Sequence, residues 1–227
     1  MNFKKLFTLA FCLSVFATTA SAQFMHQRDY RLITTSQYTD VEGSPYLFED
    51  WEPGSVTLVN GVSSTEQMQL KYNVVDDVLT FKDKASGEEM AFVQKVKEFK
   101  IAPNAGLTDA KYMKLYRSGF TGIEGTTADS FFEVLADGKA QLLKRFTKVV
   151  FESQDIGSAS KKKTFLEKEK YYIIMGGKAT VVKNDKKSIL SVLADKQPQL
   201  EDYIKTNKVS FKSDAQVGKL VDYYNTL

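Results

Sequence analysis

Cysteine and histidine are nearly missing from this chain: there is one of each, Cys12 and His26. Cys12 lies in an apolar run, Leu6 to Ala17, that follows Lys4 and Lys5 and precedes Ala20-Ser21-Ala22. A basic start, a short apolar stretch and small residues at the end make up a secretory leader, with cleavage expected between Ala22 and Gln23. The run is too short for a comfortable membrane span, which argues against a permanent anchor. Cys12 is preceded by Phe11 rather than a small residue, which argues against lipid attachment. With the leader removed, no thiol remains and no disulfide can form. An exported protein of this kind relies on packing alone, which suggests a bacterial envelope or the medium.

One histidine cannot build a zinc site, which normally recruits several His or Cys ligands. A Ser-His-Asp or Cys-His arrangement would rest on His26, close to the expected mature N-terminus and without a supporting motif. Phosphate-binding glycine loops and dinucleotide fingerprints are lacking. Gly119-x-x-Gly122-x-x-Gly125 has neither a strand-to-helix context nor a lysine, and reads as a turn. Glu49-Asp50-x-Glu52 lacks the spaced ligands of a calcium loop. No cofactor is expected.

A strong charge of one sign is lacking as well. Loss of Lys4 and Lys5 from 31 basic residues leaves 29 against 28 acidic ones, a net of +1. That gives no field to steer the protein to nucleic acid. The densest basic run, Lys161-Lys162-Lys163, reads as part of a solvated loop, Asp155 to Lys163. Beyond the leader no segment is long and apolar enough to be a transmembrane helix.

What the chain does have is short alternating strands separated by turns. Val56 to Val59 ends at Asn60-Gly61, and Met68, Leu70, Tyr72 and Val74 alternate with polar residues. Asp76-Asp77 offers a tight turn into Val78 to Phe81, and further strands are expected at Met90 to Val93, Val96 to Ile101 and Tyr112 to Tyr116. Phe131 to Leu135 is expected to turn at Asp137-Gly138 into a return strand reaching Glu152, because Asp-Gly permits the positive φ of a two-residue hairpin. Tyr171 to Met175 should turn at Gly176-Gly177 into Ala179 to Val182.

Near Asn184 the period changes to that of helices. Ile189, Leu190, Val192 and Leu193 form one face; Pro198 can open a second helix, with Leu200, Tyr203 and Ile204 as its stripe. Ser213 and Gln216 have the spacing of a capping box, ahead of Val217, Leu220, Val221 and Tyr224. The fold class is therefore mainly β with C-terminal α. We expect a leader over 1–22 and one antiparallel domain over 23–183, as a sandwich, open barrel or meander. Two or three short helices over 184–227 should pack on it. A membrane β-barrel fits less well, because strands carry lysine on both faces (Lys95, Lys97, Lys100) and the chain ends in helices.

The richest stretch is Gly43 to Gly54, which holds the only tryptophan and two of the four prolines. Tyr46, Phe48 and Trp51 either plug the core or form a platform for a sugar ring, with Glu49 or Asp50 binding hydroxyls. These five residues are the candidate ligand-binding set.

Gly43-Ser44-Pro45-Tyr46-Leu47-Phe48-Glu49-Asp50-Trp51, with Gly54-Ser55-Val56 and Leu70-Lys71-Tyr72, resembles the N-terminal part of uncharacterised exported proteins common in Bacteroidota. The tail resembles the same group at Ser188-Ile189-Leu190, Tyr203-Ile204-Lys205, Asn207-Lys208 and Leu220 to Asn225. The resemblance implies a Gram-negative location, either periplasmic or outside the cell and associated with the outer membrane. It transfers no catalytic residue. The expected function is non-catalytic binding of an envelope protein or glycan through a sheet face or edge. A small-ligand binder for glycan or lipid built on Tyr46, Phe48 and Trp51 is the alternative, ahead of an enzyme using carboxylates alone.

Overall fold

The computed structural model describes residues 30–32, 38–103, 113–154 and 161–227. The expected leader, its junction at Ala22 and Gln23, and His26 lie outside the described residues. Among the described residues eleven strands form one sheet: β1 (Tyr30–Leu32), β2 (Glu52–Leu58), β3 (Met68–Asn73), β4 (Val78–Lys82), β5 (Glu89–Phe92), β6 (Val96–Ile101), β7 (Lys114–Arg117), β8 (Phe132–Ala136), β9 (Ala140–Gln154), β10 (Lys161–Met175) and β11 (Lys178–Val182). Helices α1 (Lys186–Val192), α2 (Gln197–Asn207) and α3 (Asp214–Thr226) follow, with a short 3-10 turn between the first two. The chain is thus mainly β with C-terminal helices, and the strand order β1-β5-β4-β3-β2-β6-β7-β8-β9-β10-β11 is an antiparallel meander with two displaced connections, β1 to β2 and β5 to β6. The sheet is open rather than closed, and it is a single sheet rather than two.

The shorter of the two, from β5 to β6, forces curvature. β5 and β6 stand four places apart in the sheet, yet only Val93, Gln94 and Lys95 join them. Four strand spacings in a flat sheet amount to about 19 Å. The backbone from Phe92 to Val96 reaches at most about 14 Å. The sheet must therefore curl, and the sequence allows it at β2. Its first part pairs with β3 through Gly54↔Met68, and its second part pairs with β6. At Gly54 a Cβ would run into the Lys100 carbonyl and lie 2.5 Å from Leu70 Cδ1, so only glycine fits where the strand passes between its neighbours.

The concave side of the curl is filled by Val56, Leu58, Leu70, Leu79, Phe81 and Ile101 around an aromatic cluster. Phe99 stacks on Tyr116 at 4.9 Å, and Tyr72 meets Phe99, Tyr116 and Phe131 edge-on or tilted. The other half of the sheet is covered on both sides. Ile189, Leu193, Leu200, Val217, Leu220 and Val221 of the helices bury Leu142 and Ile173 on one face. On the other face, Phe120 and Ile123 from the loop after β7 pack with Phe132, Leu143 and Tyr172.

The two halves meet at a largely buried ion pair. Asp77 ends the β3–β4 turn with φ +62°, a conformation that aspartate tolerates. Its carboxylate receives both Nη atoms of Arg145 on β9, at 2.7 and 3.0 Å, and the Tyr72 hydroxyl. Arg145 also donates to the Tyr72 hydroxyl and to the Phe131 carbonyl, at 3.1 and 2.7 Å. Burial, followed by the Asp77 charge, holds the Tyr72 phenol well above its ordinary range.

Three local expectations are corrected. Gly138 does not take a positive φ; the β8–β9 connection spans Asp137 to Lys139, and a Cβ at Gly138 would press on the Asn225 side chain. Asn225 is there because it grips Ala140, accepting from its N–H at 2.8 Å and donating to its carbonyl at 2.9 Å. The capping box does not form: Ser213 precedes α3 without a side-chain bond, and Gln216 accepts from the Ser210 N–H instead. Lys161-Lys162-Lys163 belongs to β10 rather than to a loop, because these residues pair with Gln154, Ser153 and Glu152 of β9. By contrast Gly176 and Gly177 both take positive φ, 58° and 78°, and make the expected two-residue hairpin.

Candidate functional site

The segment Pro45 to Leu47 extends the ladder beside β3. Val74 donates to the Pro45 carbonyl and Leu47 to that of Tyr72, at 3.0 and 2.8 Å. Tyr46 thereby bridges Asn73, and cross-strand partners share a face. Leu70 and Tyr72 point into the core, so Lys71 and Asn73 point out, and Tyr46 points out with them. Leu47 and Phe48 pack against the core of the curl. The five candidate residues therefore separate: Tyr46, Phe48 and Trp51 are all half-buried but only Phe48 packs against the core, and Glu49 and Asp50 are exposed. Glu52, the last member of the acidic triplet, is buried, apart from the exposed Glu49 and Asp50.

On the outer face Lys71 joins the two rings. Its ammonium stands 4.6 Å from the Tyr46 ring centre and 5.4 Å from that of Trp51. Such contacts are worth about 0.5–1 kcal/mol where water still reaches them. The Tyr46 hydroxyl donates to Glu89 on β5 at 3.2 Å, so the side chain reaches from the edge of β3 across β4. Partial burial and the Glu89 charge push its pKa up to about 12. Lys148 of β9 fixes the segment from the far side by donating to the carbonyls of Ser44 and Tyr46, at 3.0 and 2.8 Å. The result is an open face with two flat rings, one amine between them, and two exposed carboxylates at its border.

The second surface feature is the outer half of the β9–β10 hairpin. Beyond Lys144 and Tyr171, β9 and β10 pair with each other and with no other strand of the sheet for ten rungs, from Arg145↔Lys170 to Gln154↔Lys161. Ten rungs are about 34 Å of ribbon. A two-stranded ribbon is marginal alone; here residues 38–48 brace it. Tyr38 meets Phe165 edge-on at 5.5 Å, and Glu42 bridges Thr164. The lysine run is neutralised here: Lys162 pairs with Glu42 and Lys163 with Asp40 of the brace, and Lys161 with Glu152 of β9.

At the base of the arm Lys144, nearly buried, holds Glu169 at 2.6 Å and Asp214 of α3 at 2.9 Å. The Tyr171 hydroxyl and the Asn184 amide also bind Asp214. Burial works to lower the Lys144 pKa, but the two carboxylates outweigh it and the net shift is upward. The cluster ties α3 to the sheet.

Sequence reasoning missed Lys71 and Arg145. Period-2 alternation placed Lys71 on a strand, but its ring contacts depend on where Tyr46 and Trp51 cross. Comparison with protein-family models, curated proteins and solved structures finds no match for this chain.

Proposed function

We propose that the protein is a non-catalytic exported component of a Gram-negative envelope that binds glycan through the outer face of β3. The observation that carries this reading is the pair of half-exposed rings, Tyr46 and Trp51, flanking Lys71 on one open sheet face. Aromatic rings offer flat apolar surface to the C–H face of a sugar, while an amine and carboxylates at the border exchange hydrogen bonds with its hydroxyls. Trp51 is the only tryptophan, so its emission reports this face alone. Titration with soluble peptidoglycan fragments and lipopolysaccharide core oligosaccharide should give a saturable emission change with one of them. Calorimetry on Trp51→Ala should show affinity lowered by about 3- to 10-fold. Absence of binding to both, or full affinity in Trp51→Ala, refutes the reading.

A further inference from the structure

The β9–β10 arm has two chemically different faces. Cross-strand partners share a face and alternate residues return to it. The rungs Arg145↔Lys170, Thr147↔Lys168, Val149↔Leu166 and Phe151↔Thr164 therefore lie on one side. The rungs carrying Glu152, Glu167 and Glu169 lie on the other. The first side presents Phe151 and Leu166, 50% and 47% exposed, with Val149 between strand neighbours. Next to them stand Lys168 and Lys170, both exposed and with no ionic or hydrogen-bond partner for their side-chain amines among the described residues. Glu42, beside this face, is taken up by Lys162 at 2.6 Å. Arg145 is turned inward to Asp77.

From this segregation we infer that the arm docks on an anionic lipid surface, with Phe151 and Leu166 entering the headgroup boundary and Lys168 and Lys170 against the phosphates. Exposed apolar side chains beside unneutralised cations, with the acids removed to the opposite face, are what an interfacial contact requires. A solvated ribbon needs no such sorting. The brace by residues 38–48 holds the arm in shape before contact, so little ordering opposes docking. This inference is independent of the glycan reading, which concerns a different face.

The test is flotation of the purified protein with vesicles of phosphatidylethanolamine and phosphatidylglycerol, and with vesicles of phosphatidylcholine alone. Binding is expected to the anionic vesicles, to weaken with added salt, and to be unchanged in Trp51→Ala. Lys168→Gln with Lys170→Gln should lower partitioning by about 25-fold, at about fivefold for each lysine. Phe151→Ser with Leu166→Ser should lower it as well. All four substitutions are at exposed positions, and circular dichroism checks that the fold is kept. Equal binding to both vesicle types, or variants that bind like the parent, overturns the inference. So does a concentration-dependent dimer in sedimentation that the Phe151 and Leu166 variant abolishes, with no vesicle binding, because the face would then serve a second copy of the chain.

Discussion

Replacing Arg145 with methionine tests how the two halves of the sheet are joined. Methionine keeps most of the stem volume and removes the guanidinium. Four hydrogen bonds go with it: two to Asp77, one to the Tyr72 hydroxyl and one to the Phe131 carbonyl. The larger effect is on what remains. Asp77 is left as a carboxylate only 20% exposed, next to a phenol that is almost fully enclosed. Breaking a buried pair from one side costs about 3–5 kcal/mol. Because water still reaches part of Asp77, we expect the lower end, about 3 kcal/mol, or a fall in Tm of about 6–12 °C. Urea unfolding followed by Trp51 emission and by far-ultraviolet circular dichroism measures it. Trp51 reports the curl and the dichroism is weighted to the helices, so the two transitions should separate in the variant. Adding Asp77→Asn removes the stranded charge, and asparagine tolerates the positive φ. The double variant should therefore recover about 1–2 kcal/mol. A loss below about 1 kcal/mol in Arg145→Met, or no recovery in the double variant, would refute the reasoning.

Gly54→Ala should destabilise by about 2 kcal/mol or more, read by thermal melting, because its Cβ meets the Lys100 backbone rather than a movable side chain. Glu52→Met should raise stability by about 1–2 kcal/mol in urea titration, since Glu52 is buried and its Oε2 has no hydrogen-bond partner. Tyr46 ionises later when folded, because burial and Glu89 favour its neutral form. Its contribution is thus fully present below pH 10 and is lost as pH rises toward about 12. Tyr46→Phe should flatten stability against pH in that window, and an unchanged alkaline slope would contradict this.

Much of the fold was legible because it is written in local periods. Alternation at Met68 to Val74 and the i, i+3, i+4, i+7 stripe of Val217, Leu220, Val221 and Tyr224 each mark one buried face. Gly176-Gly177 marked its hairpin because the turn needs nothing beyond its own two residues. Local signals failed where a distant group competed. Asp137-Gly138 yielded to Asn225, the Ser213 cap lost Gln216 to Ser210, and the three lysines of β10 were drawn into the ladder by backbone pairing with Gln154, Ser153 and Glu152 of β9. At the candidate site the aromatic set was visible as composition, while its division into Phe48 inward and Tyr46 and Trp51 outward was not. That division follows from the register of residues 45–47 against β3.

The order of side chains alone determined which stretches pleat, which coil, and that helices come last, since backbone preference and face periodicity act over a few neighbouring residues. Only the folded chain decided that one sheet would curl, that Arg145 would find Asp77 across 68 positions, and that the arm would sort its acids from its free lysines. Those outcomes depend on strand order and register, which are set by packing between segments far apart along the chain.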